Sequence, residues 1–131
     1  MTSLQKKMEL TLRELGCRES TKVSVIIVDA GRMAELNMRY RGKPEPTNVL
    51  AFSQSEAKLV SAEPDMLGDV VICADRVRTD ADDLGYSYDE MTLYLGIHGL
   101  LHLVGYSHEL PLEASDMEKR VEFIFNKLNS V

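Results

Sequence analysis

All three histidines of the chain fall in one short window, His98-Gly99-Leu100-Leu101-His102-Leu103-Val104-Gly105-Tyr106-Ser107-His108. Four residues advance a helix by a little over one turn, so His98 and His102 project from one face and their imidazoles converge on one ion. Gly105 supplies the helix stop, because glycine enters the left-handed conformation cheaply, and the chain folds back to deliver His108 as a third ligand. Three neutral imidazoles with a fourth position open to water form the ligand set of a catalytic rather than a structural zinc site. There the bound water has its pKa lowered to roughly 7. A histidine pair alone on an apolar helix is more often packed in a core. The third histidine and the glycine at the turn are what point to a metal, one Zn2+ per chain.

The spacing follows the metzincin pattern HExxHxxGxxH except that Gly99 stands where the glutamate belongs. Glycine has no group to take a proton, so a metallopeptidase, the first rival reading, loses its general base. A side-chain-free position beside the metal instead suggests room for a bulky anionic substrate backbone. The second rival is a noncatalytic zinc-binding module, which four protein ligands in place of three plus water would favour.

These ligands need a rigid carrier. Ser87 and Glu90 form the capping box of a helix whose Met91, Leu93, Leu95, Ile97, Leu100, Leu101, Leu103 and Val104 leave little polar face, which places it in the interior. Around it, Leu4, Met8, Leu12 and Leu15 recur at helical spacing behind a Thr2/Gln5 capping box and stop at Gly16. The β-branched run Val23 to Val28 predicts a strand covered on both faces, and Asp29 caps a helix with Met33, Leu36 and Tyr40 inward. Pro44 and Pro46 make Arg41 to Thr47 a loop entering a second strand at Asn48 to Phe52. A third strand, Gly68 to Cys73, pairs antiparallel with the second, since no helix is evident between them. There Asp69 reads as a strand-start aspartate capping a turn rather than as a base. Asp75 caps a short helix ending at Gly85, and Pro111 opens a last helix with Met117, Val121, Ile124, Phe125 and Leu128 inward. The sum is a small α+β domain, about three to four strands in a mixed sheet packed by about five helices, with the histidine helix inside.

At 131 residues and 44% hydrophobic the chain suits one domain over 1–131 with no internal boundary. Neither a charged start followed by an apolar run nor a membrane-length segment is evident, so a cytoplasmic protein with no membrane association is expected. Cys17 and Cys73 lack CxxC spacing and fit reduced structural thiols. The net charge of −6 argues against coating nucleic acid by bulk electrostatics but leaves room for a local groove. Charge is segregated along the chain. Arg32, Arg39, Arg41 and Lys43 lie near a single acid, Glu35, whereas acids dominate Asp80 to Asp83 and Glu109 to Glu122.

The segments HGLLHLVGYSH, YRGKPEPTNVLAF and LGDVVICADRV, in this arrangement, resemble the bacterial YbeY family of endoribonucleases and rRNA maturation factors, with Glu113-Ala114 and Met117 similar to that family's closing segment. The resemblance implies His98, His102 and His108 as zinc ligands and Arg41 as a functionally important arginine, with His98 and Arg41 in the catalytic machinery. It implies single-stranded regions of rRNA as substrate, a role in rRNA maturation and ribosome quality control, and the ribosome or small-subunit proteins as partners. The rival of a noncatalytic module then becomes a ribosome-assembly factor. Three positions depart from the pattern. Ser107 stands for an aspartate beside the third ligand, Asn48 for an aspartate and Ala51 for a serine. If that aspartate orients the last histidine, Ser107 does so more weakly, which touches metal affinity rather than ligand identity.

Overall fold

A computed structural model describes residues 3–54, 65–107 and 110–130. The chain runs through α1 (Leu4–Glu14), β1 (Lys22–Val28), α2 (Ala30–Arg41), β2 (Val49–Ser53), β3 (Met66–Cys73), α3 (Ala74–Leu84), α4 (Tyr88–Leu103) and α5 (Pro111–Asn129). The three strands form one mixed sheet in the order β1-β3-β2. β3 runs parallel to β1, with Val25 opposite Val70, and antiparallel to β2, with Ala51 opposite Val70. The expected α+β architecture and the antiparallel pairing are both present.

Alternation along the strands divides the core. On one face Met33 and Leu36 of α2 cover Leu50, Phe52, Val71 and Cys73. On the other, Val70 and Ile72 pack with Met8 and Leu12 of α1 and with Met91, Leu95 and Leu100 of α4. Leu93, Ile97 and Leu101 on the far side of α4 meet Met117, Val121 and Ile124 of α5. Thus α4 is enclosed between sheet and α5, which is why its sequence lacks a polar stripe. The expected strand covered on both faces is not β1. That strand lies at a sheet edge, with Ile27 47% exposed, and the doubly covered position belongs to β3, buried from Gly68 to Cys73.

Glycine lets α4 come this close. A Cβ on Gly99 would lie 2.7 Å from Val70 Cγ1, 3.2 Å from its Cγ2 and 3.4 Å from Val49 Cγ2. Helix-on-sheet packing therefore requires the absence of a side chain at position 99, a reason the sequence does not display, and the same glycine also borders the cleft beside the histidines. The Ser87/Glu90 capping box is formed at 3.1 and 2.8 Å, and the Ser87 N–H, joined by the Asn129 amide, holds the Glu90 carboxyl below its usual range.

Two caps differ from expectation. Ser3 caps α1, accepting from the Lys6 N–H at 3.2 Å, whereas Thr2 lies outside the described residues. Asp75 does not cap α3, whose N-cap is Cys73 with no side-chain bond. Its Oδ2 instead accepts from Ala30 N at 2.7 Å, and Asp29 Oδ1 accepts from Arg32 N at 2.8 Å. The N-terminus of α2 is thus held by one carboxylate of its own and one from α3, both favoured by the helix dipole. Among the described residues, no helix is long and apolar enough to cross a membrane, and Cys17 and Cys73 are free thiols.

Gly99→Ala is expected to destabilise the fold by about 1–2 kcal/mol, because overpacking against a stiff β-branched side chain outweighs the gain in helix propensity. Combined with Val70→Ala, which removes the colliding methyls, the loss should be smaller than the sum of the two single losses. Additive losses in chemical denaturation would show that the two positions do not touch.

Candidate active site

His98 and His102 lie one turn apart on α4, both half-buried, with ring centroids 4.9 Å apart and planes at 71°. Two imidazoles this close, on a helix fixed from both sides, present a preformed pair of nitrogen donors suited to a borderline-soft cation such as zinc. After them the helix stops as expected at Gly105, φ +105°, where Gly105 N and Tyr106 N donate to the carbonyls of His102 and Leu101. His108, the third expected ligand, lies outside the described residues. Among those residues, no group of three His, Cys, Asp or Glu side chains assembles to hold a metal.

The pair opens on a cleft of about 430 Å³ whose walls include Arg41, Lys43, Asn48, Ala51 and the two histidines. Arg41 is not on the expected loop. It is the last residue of α2, and the stop is Gly42, left-handed at φ +72°. The Arg41 guanidinium donates from Nη2 to Ala51 O at 3.0 Å and from Nη1 to Tyr40 O at 3.3 Å. It also rests 4.8 Å from the centroid of the Phe52 ring, itself fully buried and 5.0 Å from the Tyr40 ring. The arginine is thereby positioned against β2 rather than free to sweep through solvent.

The basic run divides. Arg41 and Lys43 line the cleft, whereas Arg32 pairs with Glu35 at 3.2 Å on the exposed surface of α2 and Arg39 lies over Tyr40 at 5.3 Å. Sequence reasoning passed over Asn37, which also lines the cleft and is 95% buried, at 5% relative exposure. Its Nδ2 donates to Glu45 O at 2.8 Å, and its carbonyl accepts from Lys43 N. Asn37 thus folds the loop carrying Lys43 back onto α2. The signal was available, since Asn37 sits at helical spacing among Met33, Leu36 and Tyr40, a polar residue on an inward face that needs a partner.

Asp69 is fully buried, but it lies inside β3 rather than at its start. It is on the face shared by Phe52, Val71 and α2, opposite the face that packs on α4. It therefore lies on the side of the sheet away from the histidines. Asn48, where the resembled pattern carries aspartate, donates from Nδ2 to Asp80 Oδ2 at 3.0 Å. An aspartate at 48 would set two carboxylates against each other, so the amide suits this chain's Asp80. Ala51 contributes its backbone carbonyl to hold Arg41, a role that needs no hydroxyl. Nearby, burial pushes the Tyr94 hydroxyl pKa up, and Glu122 and Glu118 push it further, keeping the phenol neutral.

Comparison with known proteins gives the chain's family and fold. Residues 1–129 match the family described as Endoribonuclease YbeY. An Endoribonuclease YbeY of Syntrophus aciditrophicus is 38% identical over 95% of this chain and 79% of its own length. That of Desulfitobacterium hafniense is 38% identical over 84% of this chain and 73% of its own length. The solution structure of TM1509 from Thermotoga maritima superposes with a TM-score of 0.59 at 29% identity, covering 97% of this chain and 82% of that one.

Asn48→Asp is expected to cost about 1 kcal/mol at neutral pH through the lost hydrogen bond and the new like-charge pair. The pair raises the carboxyl pKa in the folded state, so the loss should shrink as pH falls through the carboxylate range. A melting temperature equal to wild type at pH 7 would show that the Asn48–Asp80 bond does not contribute.

Proposed function

The chain belongs to the YbeY family of endoribonucleases, and from that premise we propose that it is a zinc-dependent hydrolase. In this reading it cuts single-stranded RNA internally, in rRNA maturation and ribosome quality control. The observation that carries the reading is the meeting of Arg41 with His98 and His102 in one cleft. A peptidase would need a carboxylate at position 99, where the Cβ direction runs into Val70.

His98, His102 and His108 would hold the zinc, which when bound supplies Lewis acidity and activates water at neutral pH. Burial of α4 on both sides keeps the two described imidazoles converged, so they lose little freedom in binding. Arg41 supplies a planar fork of N–H donors that pairs with phosphate oxygens and stabilises the charge gathering on them as the phosphodiester is attacked. Its anchors on Ala51 O and the Phe52 ring set the direction of that fork before substrate arrives. Lys43 adds a second positive charge on the same wall, held by the fold-back at Asn37.

Purified without chelators, the protein should carry one zinc per chain. Zinc should raise the melting temperature of wild type and not of His102→Ala, because ligand bound only by the folded state stabilises it by mass action. Elemental analysis that finds no transition metal, with no uptake of added zinc, would remove the metal from the reading. Arg41→Ala should lower RNA cleavage about 100-fold. It should also flatten the dependence of the logarithm of the RNA-binding constant on the logarithm of salt by about 0.7 per lost phosphate contact. Equal slopes in wild type and variant would show that Arg41 meets no phosphate, and peptide cleavage without RNA cleavage would overturn the reading.

A further inference from the structure

His98, Asn48 and Val49 border two cavities at once. The first is the cleft with Arg41 and Lys43 on its wall. The second, about 360 Å³, is walled by apolar and aromatic surface from Met91, Tyr94 and Leu95 and carries the carboxylates of Asp80 and Glu118. Two adjoining spaces of opposite charge, sharing a histidine, match the two halves of a nucleotide. The anionic phosphate belongs with the arginine. A nucleobase, uncharged, with apolar faces and a polar edge, belongs in the second space, from which two carboxylates repel any phosphate.

We propose that this second cavity is a nucleobase subsite that selects guanine in the nucleotide whose phosphate enters the Arg41 cleft. The proposal rests on the RNA reading above and adds to it a base preference. The choice of base follows from the polar atoms on offer. Asp80 and Glu118 present acceptors only, and Asn48 turns its amide nitrogen to Asp80 Oδ2, so its remaining heteroatom is the acceptor Oδ1. Such a rim favours a base edge rich in N–H groups. Guanine offers adjacent N1–H and amino donors spaced for a carboxylate, uracil a single N–H, adenine and cytosine only an amino group beside an acceptor. The Tyr94 ring is held in place by edge contact with Phe125 at 5.5 Å and by stacking with Tyr86 at 6.3 Å. It gives the base a fixed wall, and its neutral phenol adds no charge. The Asn48–Asp80 bond links the two spaces mechanically, since Asn48 leads directly into β2, whose Ala51 carbonyl holds Arg41.

The test uses GMP, AMP, CMP and UMP with the full chain, read by NMR on the Tyr94 ring, alongside cleavage of single-stranded RNAs differing only in where guanosine stands. GMP should shift Tyr94 and saturate at about tenfold lower concentration than the other three. IMP, which lacks the amino group, should lose part of that advantage. Asp80→Asn, half-buried on α3, and Glu118→Gln, exposed on α5, should each bring GMP to the level of the others, and wild-type cuts should track guanosine. Equal saturation by all four nucleotides, or a Tyr94 signal that GMP does not move, would overturn the subsite even if RNA is cut. Selective GMP binding in a protein that cuts no RNA would support the subsite and count against the hydrolytic reading alone.

Discussion

The contact between Gly99 and Val70 sets how near the histidine helix can come to the sheet, and with it how far His98 and His102 stand from β2. A helix normally stands off a sheet by the depth of one side-chain layer, whereas here α4 meets the branched side chains of Val70 and Val49 with bare backbone. That proximity puts His98 and His102 beside the outward residues of β2 rather than a layer above them, within the same cleft as Arg41. Gly96 does the same on another side of the helix, where a Cβ would meet Met8 Sδ at 2.8 Å. The two cases differ in stiffness, because a thioether can swing aside and a valine in the central strand cannot. The sheet contact, not the helix contact, is therefore the rigid reference for the site.

The charged groups are arranged around that reference in a way the net charge of −6 conceals. Of the basic run, Arg41 and Lys43 line the cleft, and backbone carbonyls help place both: Ala51 O for the arginine, Glu45 O through the Asn37 fold-back for the lysine. Acids gather on the α3 and α5 side, at Asp80 and Glu118. The field thus changes sign across His98, over the width of one helix. An anionic polymer at this cleft meets Arg41 and Lys43 on the β2 wall and acids beyond His98, which orients it before any specific contact forms.

Local signals were legible in the sequence and long-range ones were not. The Ser87/Glu90 box, the Gly105 stop and the inward residues of α5 depend on neighbours within one or two turns, and the structure has each where the pattern puts it. Asp75 looked like the cap of its own helix because sequence proximity is the only proximity a sequence displays, yet its partner is Ala30. Arg41 was read into a loop because Pro44 and Pro46 dominate that stretch, although Gly42 was the nearer stop signal. Beside two histidines Gly99 reads as room for substrate, and it does border the cleft, but its packing role is hidden from the sequence. Which way its missing side chain would point depends on the sheet behind the helix. The inward side of α2 hid Asn37 for the same reason, since its partner is a carbonyl eight residues on.

The outer edge of β2 has a further consequence. Cys73 N donates to Asn48 O, which makes Asn48, Leu50 and Phe52 the residues that exchange hydrogen bonds with β3 and turns the N–H and C=O of Val49, Ala51 and Ser53 outward. Among the described residues no further strand adds to this side of β2, and an edge row of this kind is where another extended chain can add itself as a fourth strand, the ordinary route to edge-to-edge association. Arg41 sits across the middle of that row with Nη2 on Ala51 O. It removes one acceptor from the template and sets a charged, planar group where an added backbone would have to lie. The residue proposed to meet phosphate thus also stands across the middle of a short strand edge, where a charged side chain opposes the addition of another strand.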